Sequence, residues 1–297
     1  MSHTTSPGAS IDRPLEFTTP GEKTFDYCLW EYPAAASVDG KLRSVNLLNN
    51  SFASEGLGTA ADDVVRAIRQ AFGDLHTVWG IKQENGRISW ELYFYDYARQ
   101  SRSRSITRLL DAVKPWIACD LAVRETRDYF MFSVDLNAAL LSGAQRLDTL
   151  DMYVGNVGSL VSSGICYAAT RDAMTLKNFY FFFDARTQAH DIVDKVRASA
   201  HLDLDCFDLD SVLWPELRIC QTVVVANKRS HDGIYFSRIT LDQLLFFLRR
   251  MNFPPAQIAF VEHHRPRLDH LLYDVGFDYR MENGAIRILK SAWYGVF

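Results

Sequence analysis

The feature that most constrains this chain is a run of aromatic residues on the return arm of a tight hairpin. Residues 78–97 read VWGIKQENGRISWELYFYDY. Asn85-Gly86 is a strong short-range turn signal, because both residues tolerate the positive φ that a two-residue hairpin needs. In an extended arm, successive side chains face opposite ways. Trp90, Leu92 and Phe94 therefore share one dry face, while Glu91, Tyr93, Tyr95 and Tyr97 share the other. A carboxylate in mid-strand is disfavoured unless its face is wet or it has a task.

Hairpin and helix signals alternate along the rest of the chain. Residues 59–72 read as a helix, with Thr59 able to cap it, Asp62 and Asp63 in its first turn, and Gly73 to stop it. A loop is expected at 51–58, a helix at 105–119, and strands at 129–136 and 152–157. A hairpin follows over 164–170 and 176–184, then a helix over 188–201 and another hairpin over 219–227 and 233–239. The remainder predicts a helix at 241–251, a strand at 257–262 and a helix at 268–275. A closing hairpin spans 277–281 and 285–294 around Asn283-Gly284. This pattern predicts one α+β domain over 24–297, with a large, mostly antiparallel sheet of about ten strands that curves or closes into a barrel. Residues 1–23 are rich in Ser, Thr, Pro and Gly and read as a tail; 25–32 is an aromatic run suited to an edge strand or a tie onto the body.

Composition narrows the class. A formal charge of −4 over 297 residues lacks the basic footprint of a nucleic-acid binder. The five cysteines form no CxxC pair, there is no apolar leader, and no run reaches the length of a membrane span, which together predict a cytoplasmic protein with reduced thiols. Aromatics make up 13% of the chain, enough for an aromatic core or a pocket for a flat ligand.

Conventional signatures are missing. Gly155-Asn156-Val157-Gly158 lacks the spacing of a phosphate or dinucleotide loop and reads as a turn. Glu262-His263-His264, read at a strand end with His270 beyond, is poorly spaced for a metal, since adjacent strand residues point apart. What remains is Glu91. It is either an exposed or ion-paired strand residue, or a general base whose pKa is raised by desolvation among tyrosines. Arg66 and Arg69 are surface charges or an anion clamp, and His76 is a lone histidine before the hairpin. Arg171, Lys177, Lys228, Arg229, Arg238, Arg287 and Lys290 lie on or beside strands, facing solvent or lining a lumen that binds a diphosphate. The cluster Arg99, Arg102, Arg104 and Arg108 is a solvated loop or an anion site at a helix start.

The spacing of Arg66 and Glu91, a helix arginine followed one hairpin later by a glutamate in an aromatic strand, resembles the bacterial β-carboline-forming Pictet–Spengler cyclases of marinacarboline biosynthesis. The resemblance covers residues 66–95. It implies Glu91 as catalytic base with Arg66 beside it, and Tyr93 and Tyr95 as walls for an indole. The family's site histidine has no clear match; its place falls near Ile81 and Lys82, and His76 is the nearest histidine. Lys82 and His76 are accordingly carried as substrate-binding candidates, and Arg238 joins them from the strand cations. The implied reaction condenses tryptophan, or a related aromatic amine, with an aldehyde, using no metal or organic cofactor. Two other readings stand beside it. One is an aromatic prenyltransferase of the ββα-barrel type, in which tyrosines shield an allyl cation, basic strand residues hold a diphosphate and Glu91 grips an indole N–H. The other is a non-catalytic aromatic-ligand-binding protein; the closing SAWYGVF is compatible with a homodimer.

Overall fold

Side-chain alternation sorts this chain into an inside and an outside. The structure, a computed structural model, describes residues 13–97, 102–122, 125, 128–156 and 161–297. A short hairpin, β1 (Thr24–Phe25) and β2 (Glu31–Tyr32), precedes α1 (Val45–Ser54) and α2 (Gly58–Phe72). The aromatic hairpin is β3 (Thr77–Glu84) and β4 (Arg87–Tyr95). Then follow α3 (Ile106–Val113), β5 (Met131–Leu136), α4 (Ala138–Leu141), β6 (Thr149–Gly155), β7 (Ser163–Thr170), β8 (Met174–Asp184) and α5 (Ala189–Arg197). The chain finishes with β9 (Thr222–Lys228), β10 (Asp232–Ile239), α6 (Leu241–Arg250), α7 (Pro255–His263), α8 (Arg265–Leu268), β11 (Tyr273–Glu282) and β12 (Ala285–Val296).

From β3 onward each strand pairs antiparallel with the next, and β12 returns to β3, so ten strands close into a barrel. The closing ladder runs from Lys290↔Glu84 to Val296↔Val78. Closure removes both sheet edges. It also makes the interior somewhat wider than that of an eight-stranded barrel, which side chains just fill. Tight turns join β3–β4, β7–β8, β9–β10 and β11–β12 at one end, the turn end. The connections β4–β5, β8–β9 and β10–β11 carry helices at the other, the helix end.

The dry faces of the strands point mostly outward, under the helices; the start of β8, with Met174, Leu176 and Phe179, is exposed. Trp79, Trp90, Leu92, Phe94, Phe132 and Trp293 belong to the large core between barrel and helices. Phe52 of α1 packs on Trp90 with ring centroids 4.4 Å apart, and Phe72 of α2 packs on Phe94 at 4.9 Å. The Trp90 indole N–H donates to Ser51 Oγ at 2.6 Å. Each fully buried large apolar side chain contributes about 1.5–3 kcal/mol, so this layer fixes the helices to the barrel. A second, separate cluster holds Val78, Tyr93, Tyr95, Met131, Tyr153, Cys166, Ala292, Tyr294 and Val296. That cluster is the lumen.

Two glycines make room for lumen rings. A Cβ on Gly276 would lie 2.1 Å from Cδ1 of Tyr235, its cross-strand partner, and one on Gly80 would lie 2.7 Å from the ring of its partner Tyr294. Both tyrosines lie flat over the glycine opposite.

Several expectations change. Residues 51–58 were expected as loop, but 51–54 complete α1, whose buried Leu47, Leu48, Ser51 and Phe52 form one face; Asn46, Asn49 and Asn50 depress helix propensity and mask it. The strand expected at 257–262 is α7, since a short apolar run is ambiguous by period and Pro255 suits a first helical turn. Glu262 and His263 therefore end a helix rather than a strand. Among the described residues no cluster of His, Cys, Asp and Glu is arranged to hold a metal. The helix expected at 268–275 is overridden by pairing: Tyr273 faces Ile239 and Val275 faces Trp293. Of the expected tail 1–23, residues 13–23 lie against the body. Glu16 takes two hydrogen bonds from Arg69 at 2.7 and 2.8 Å, and Phe17 bridges to Leu42. Residues 1–12, Arg99, Val157 and Gly158 lie outside the described residues. All five cysteines are free, and among the described residues no helix is long and apolar enough to cross a membrane.

Gly276→Ala should cost about 1–3 kcal/mol in denaturant unfolding, the usual penalty of overpacking. Gly58→Ala, at a position with nothing within 4 Å of the added methyl, should be neutral or slightly stabilising. Equal effects at the two sites would contradict the ring-over-glycine packing.

Candidate active site in the barrel lumen

Every second strand contributes one tyrosine to a closed ring inside the barrel. Tyr93 (β4), Tyr153 (β6), Tyr180 (β8), Tyr235 (β10) and Tyr294 (β12) follow one another at centroid distances of 6.4, 5.8, 6.4, 6.4 and, back to Tyr93, 6.0 Å. Inward side chains from alternate strands form such layers as a consequence of strand tilt and stagger. Burial pushes the ionisation of all five phenols well up, so each keeps its proton. The ring presents aromatic faces and O–H donors, with no phenolate.

A charged belt lies beside the ring, towards the turn end. Lys82 contacts Asp135 and stands 3.5 Å from Glu91, which also accepts a hydrogen bond from Ser133 Oγ at 2.8 Å. Lys177 pairs with Asp151 at 2.6 Å. Asp278 gathers Lys228 at 2.7 Å, Lys290 at 3.1 Å, His231 at 3.4 Å and the Tyr235 hydroxyl at 3.2 Å. Four lysines thus face four carboxylates, and a buried charge is tolerable only with such partners. The distribution is uneven. One carboxylate, Asp278, serves two lysines and a histidine, so this corner is short of negative charge.

Glu91 is buried, as the pocket reading expected, but its pKa moves the other way. Burial pushes the carboxyl up; Lys82, Lys290 and Lys177, with the Ser133 hydrogen bond, outweigh it and hold it at about 2. The expectation of a raised pKa omitted the lysines that closure brings across the lumen. Glu91 is an anion and a strong hydrogen-bond acceptor, not a poised base.

The N-terminal hairpin plugs the helix end. Asp26 accepts from the Arg238 Nε–H at 2.6 Å, while Asp274 accepts from the backbone N–H groups of Tyr27 and Arg238 at 2.8 and 3.0 Å. A register shift in β10 and a positive φ at Arg238 accompany this arrangement, in which its guanidinium reaches the plug at Asp26 and its backbone N–H is bound by Asp274 of β11. The hairpin inserts Tyr27 against the ring, 4.8 Å from Tyr294, 5.5 Å from Tyr93 and 6.3 Å from Tyr95. Burial, with Asp26 close by, pushes the Asp274 carboxyl up to about 7.

Of the residues singled out in the sequence, Glu91, Lys82, Tyr93 and Tyr95 converge on the lumen. Arg238 sits at the plugged end, clamping the hairpin. Arg66 does not join them: it stands on the outer side of α2, its side chain 62% exposed and paired with Asp63. His76 is exposed in the connection before β3. Of the strand cations, Lys177, Lys228 and Lys290 face inward, whereas Arg287 pairs with Glu282 outside and Arg171 and Arg229 lie exposed in turns. Tyr153, Tyr180, Tyr235, Tyr294 and Tyr27 were not singled out. A signal for the ring existed: Leu92-Tyr93-Phe94, Met152-Tyr153-Val154, Phe179-Tyr180-Phe181, Ile234-Tyr235-Phe236 and Trp293-Tyr294-Gly295 repeat one motif on alternate strands. Uneven helical insertions hide it from any search at fixed period. No protein-family model matches the sequence, and no curated protein matches it.

The two shifted carboxyls predict opposite pH effects. Glu91, depressed in the fold, contributes stability that is present above its unfolded pKa of about 4.3 and lost as pH falls towards 2. Asp274, raised in the fold, contributes stability that is present below about pH 3.9 and lost as pH rises through 7. Melting temperatures across pH 2–8 should show Glu91→Gln flattening the acid limb and Asp274→Asn flattening the decline between about pH 4 and 7. A change of the reverse sign in either variant would refute its assignment.

Proposed function

We propose that this protein transfers a prenyl group from an allylic diphosphate to an aromatic acceptor. The observation that carries this reading is the juxtaposition of a closed tyrosine ring and a lysine-bearing belt in one barrel lumen. The reaction needs both halves. The C–O bond of the donor breaks and the diphosphate leaves with the electron pair, so cations must hold it; Lys228 and Lys290, which share a single carboxylate, are suited to that task, with the His231 ring beside them. The allyl cation left behind needs a dry, electron-rich surround, and tyrosine faces attract a cation by about 0.5–2 kcal/mol each. An acceptor ring carbon then forms the new C–C bond and releases its proton. Glu91, anionic and buried, suits an acceptor N–H or O–H, which orients the ring and raises its electron density. An antiparallel barrel with helices outside is also the architecture of the ββα-barrel prenyltransferases, a likeness of fold that lends analogy only. Free thiols and the small-molecule chemistry fit a cytoplasmic enzyme.

The condensation of an aromatic amine with an aldehyde uses less of this lumen. It draws on Glu91, but Arg66 is on the far side of α2, and a carboxylate held at about 2 is a weak base.

Incubation with dimethylallyl diphosphate and a panel of aromatic acceptors, tryptophan included, should give prenylated product by mass and released diphosphate. Lys228→Ala or Lys290→Ala should each lower kcat/KM by about 10- to 100-fold, the equivalent of losing a contact to a charged group worth about 1.5–3 kcal/mol. Formation of a tetrahydro-β-carboline from tryptophan and acetaldehyde, with no use of any allylic diphosphate, would replace this reading with the cyclase.

A further inference from the structure

The lumen is polar at one end and closed at the other by the N-terminal hairpin, which seats Phe25, Tyr27 and Leu29 against the lumen cluster. An allylic diphosphate is an amphiphile of matching polarity. With its head on Lys228 and Lys290, its hydrocarbon tail has the tyrosine layer ahead of it. Beyond that layer stands Tyr27, which touches Tyr93, Tyr95 and Tyr294 at once. Phe25 and Leu29 of the same hairpin, and Phe130, also reach the lumen cluster from outside the barrel strands, but among the ring contacts described only Tyr27 of the hairpin lies against the tyrosine ring.

The depth available is short. Along β4 the inward residues Glu91, Tyr93 and Tyr95 step by about 7 Å of strand each, and by less along the axis of a tilted barrel. Glu91 belongs to the belt, Tyr93 to the ring, and Tyr95 already lies against Tyr27. One layer therefore separates the charged belt from the floor. The floor is fixed on both sides of the ring. The Tyr27 N–H is held by Asp274 at 2.8 Å, and Asp26 before it is held by Arg238 at 2.6 Å.

The geometry points to Tyr27 as the residue that sets donor tail length, limiting it to a single isoprene unit. This rests on the prenyl-transfer reading. The phenol ring occupies the volume into which a second unit would extend; Asp274 on the Tyr27 backbone N–H and Arg238 on Asp26 hold the hairpin that carries it, and the contacts with Tyr93, Tyr95 and Tyr294 seat the ring. A smaller residue at this position leaves the head-group site unchanged and lengthens the apolar part of the lumen.

Equilibrium binding tests this without a known acceptor. The probes are the non-reactive dimethylallyl and geranyl S-thiolodiphosphates and inorganic diphosphate, titrated calorimetrically into the full chain. Wild type should favour the dimethylallyl probe over the geranyl one. Tyr27→Ala should shift that ratio towards geranyl by about tenfold or more, within the range that apolar pockets achieve, with inorganic diphosphate binding unaltered. Tyr27→Leu, which keeps an apolar plug of smaller size, should shift it in the same direction and decides the matter if the alanine variant does not fold. Trp30→Ala, on the same hairpin at a residue 63% exposed, should leave the ratio alone. Binding of none of the three probes would end the prenyl-transfer reading and Tyr27's role with it. Binding with a ratio that stays constant in both Tyr27 variants, or that Trp30→Ala shifts equally, would leave prenyl transfer standing and overturn the assignment to Tyr27.

Discussion

The ladder between β12 and β3 is the interaction on which the rest of this structure depends. It joins the last strand to the first of the barrel through consecutive pairs from Lys290↔Glu84 to Val296↔Val78. Without it the sheet would have two open edges and one broad wet face, and the inward tyrosines and lysines would face solvent. With it, that face becomes a lumen. Lys290 and Tyr294 on β12 are carried beside Lys82 on β3 and Glu91 and Tyr93 on β4, residues about two hundred positions away in sequence.

Closure also inverts the usual distribution of polarity in a small barrel. The dry core lies between barrel and helices, where Trp90, Phe94 and Trp293 are packed, and the lumen collects phenols, lysines and carboxylates. Such an interior is costly unless its charges are matched, and here they are matched as a set more than pair by pair. Glu91 illustrates this. Its immediate partners are Lys82 and Ser133, yet Lys290 and Lys177 across the lumen also depress its pKa. A group that burial alone would neutralise is kept anionic by cations from three other strands.

Much of the scaffold was legible in the amino-acid order. Asn85-Gly86 and Asn283-Gly284 mark real turns, with positive φ at all four residues. The alternation in WELYFY separates the outward Trp90, Leu92 and Phe94 from the inward Glu91, Tyr93 and Tyr95 as expected. Errors fell where local pattern and tertiary pairing disagree: an asparagine-rich helix at α1, an apolar run at α7, and a helix-like stretch that becomes the start of β11. The site was legible in part. Glu91 and the tyrosines of β4 could be picked out, because an unusual residue on an alternating strand is visible in one segment; Lys82 entered only through the place of the unmatched histidine in the resemblance. The Arg66 pairing could not be judged, because which side of a helix faces a sheet depends on the sheet's path; α2 lays Val64 and Ile68 inward and turns Arg66 out.

The sequence by itself determined the hairpins, the two-sided character of the strands and the concentration of tyrosine and charge on one side. These are local properties, set by turn chemistry and by the period of two along a strand. Only the tertiary structure decided that the wet side is the inside, that one tyrosine from each alternate strand completes a ring, that Tyr27 closes it, and that Glu91 is an acid-range carboxylate. Each of these depends on distances between strands far apart in the chain. Ring contacts and electrostatic coupling act through space, and closure is what makes those distances short.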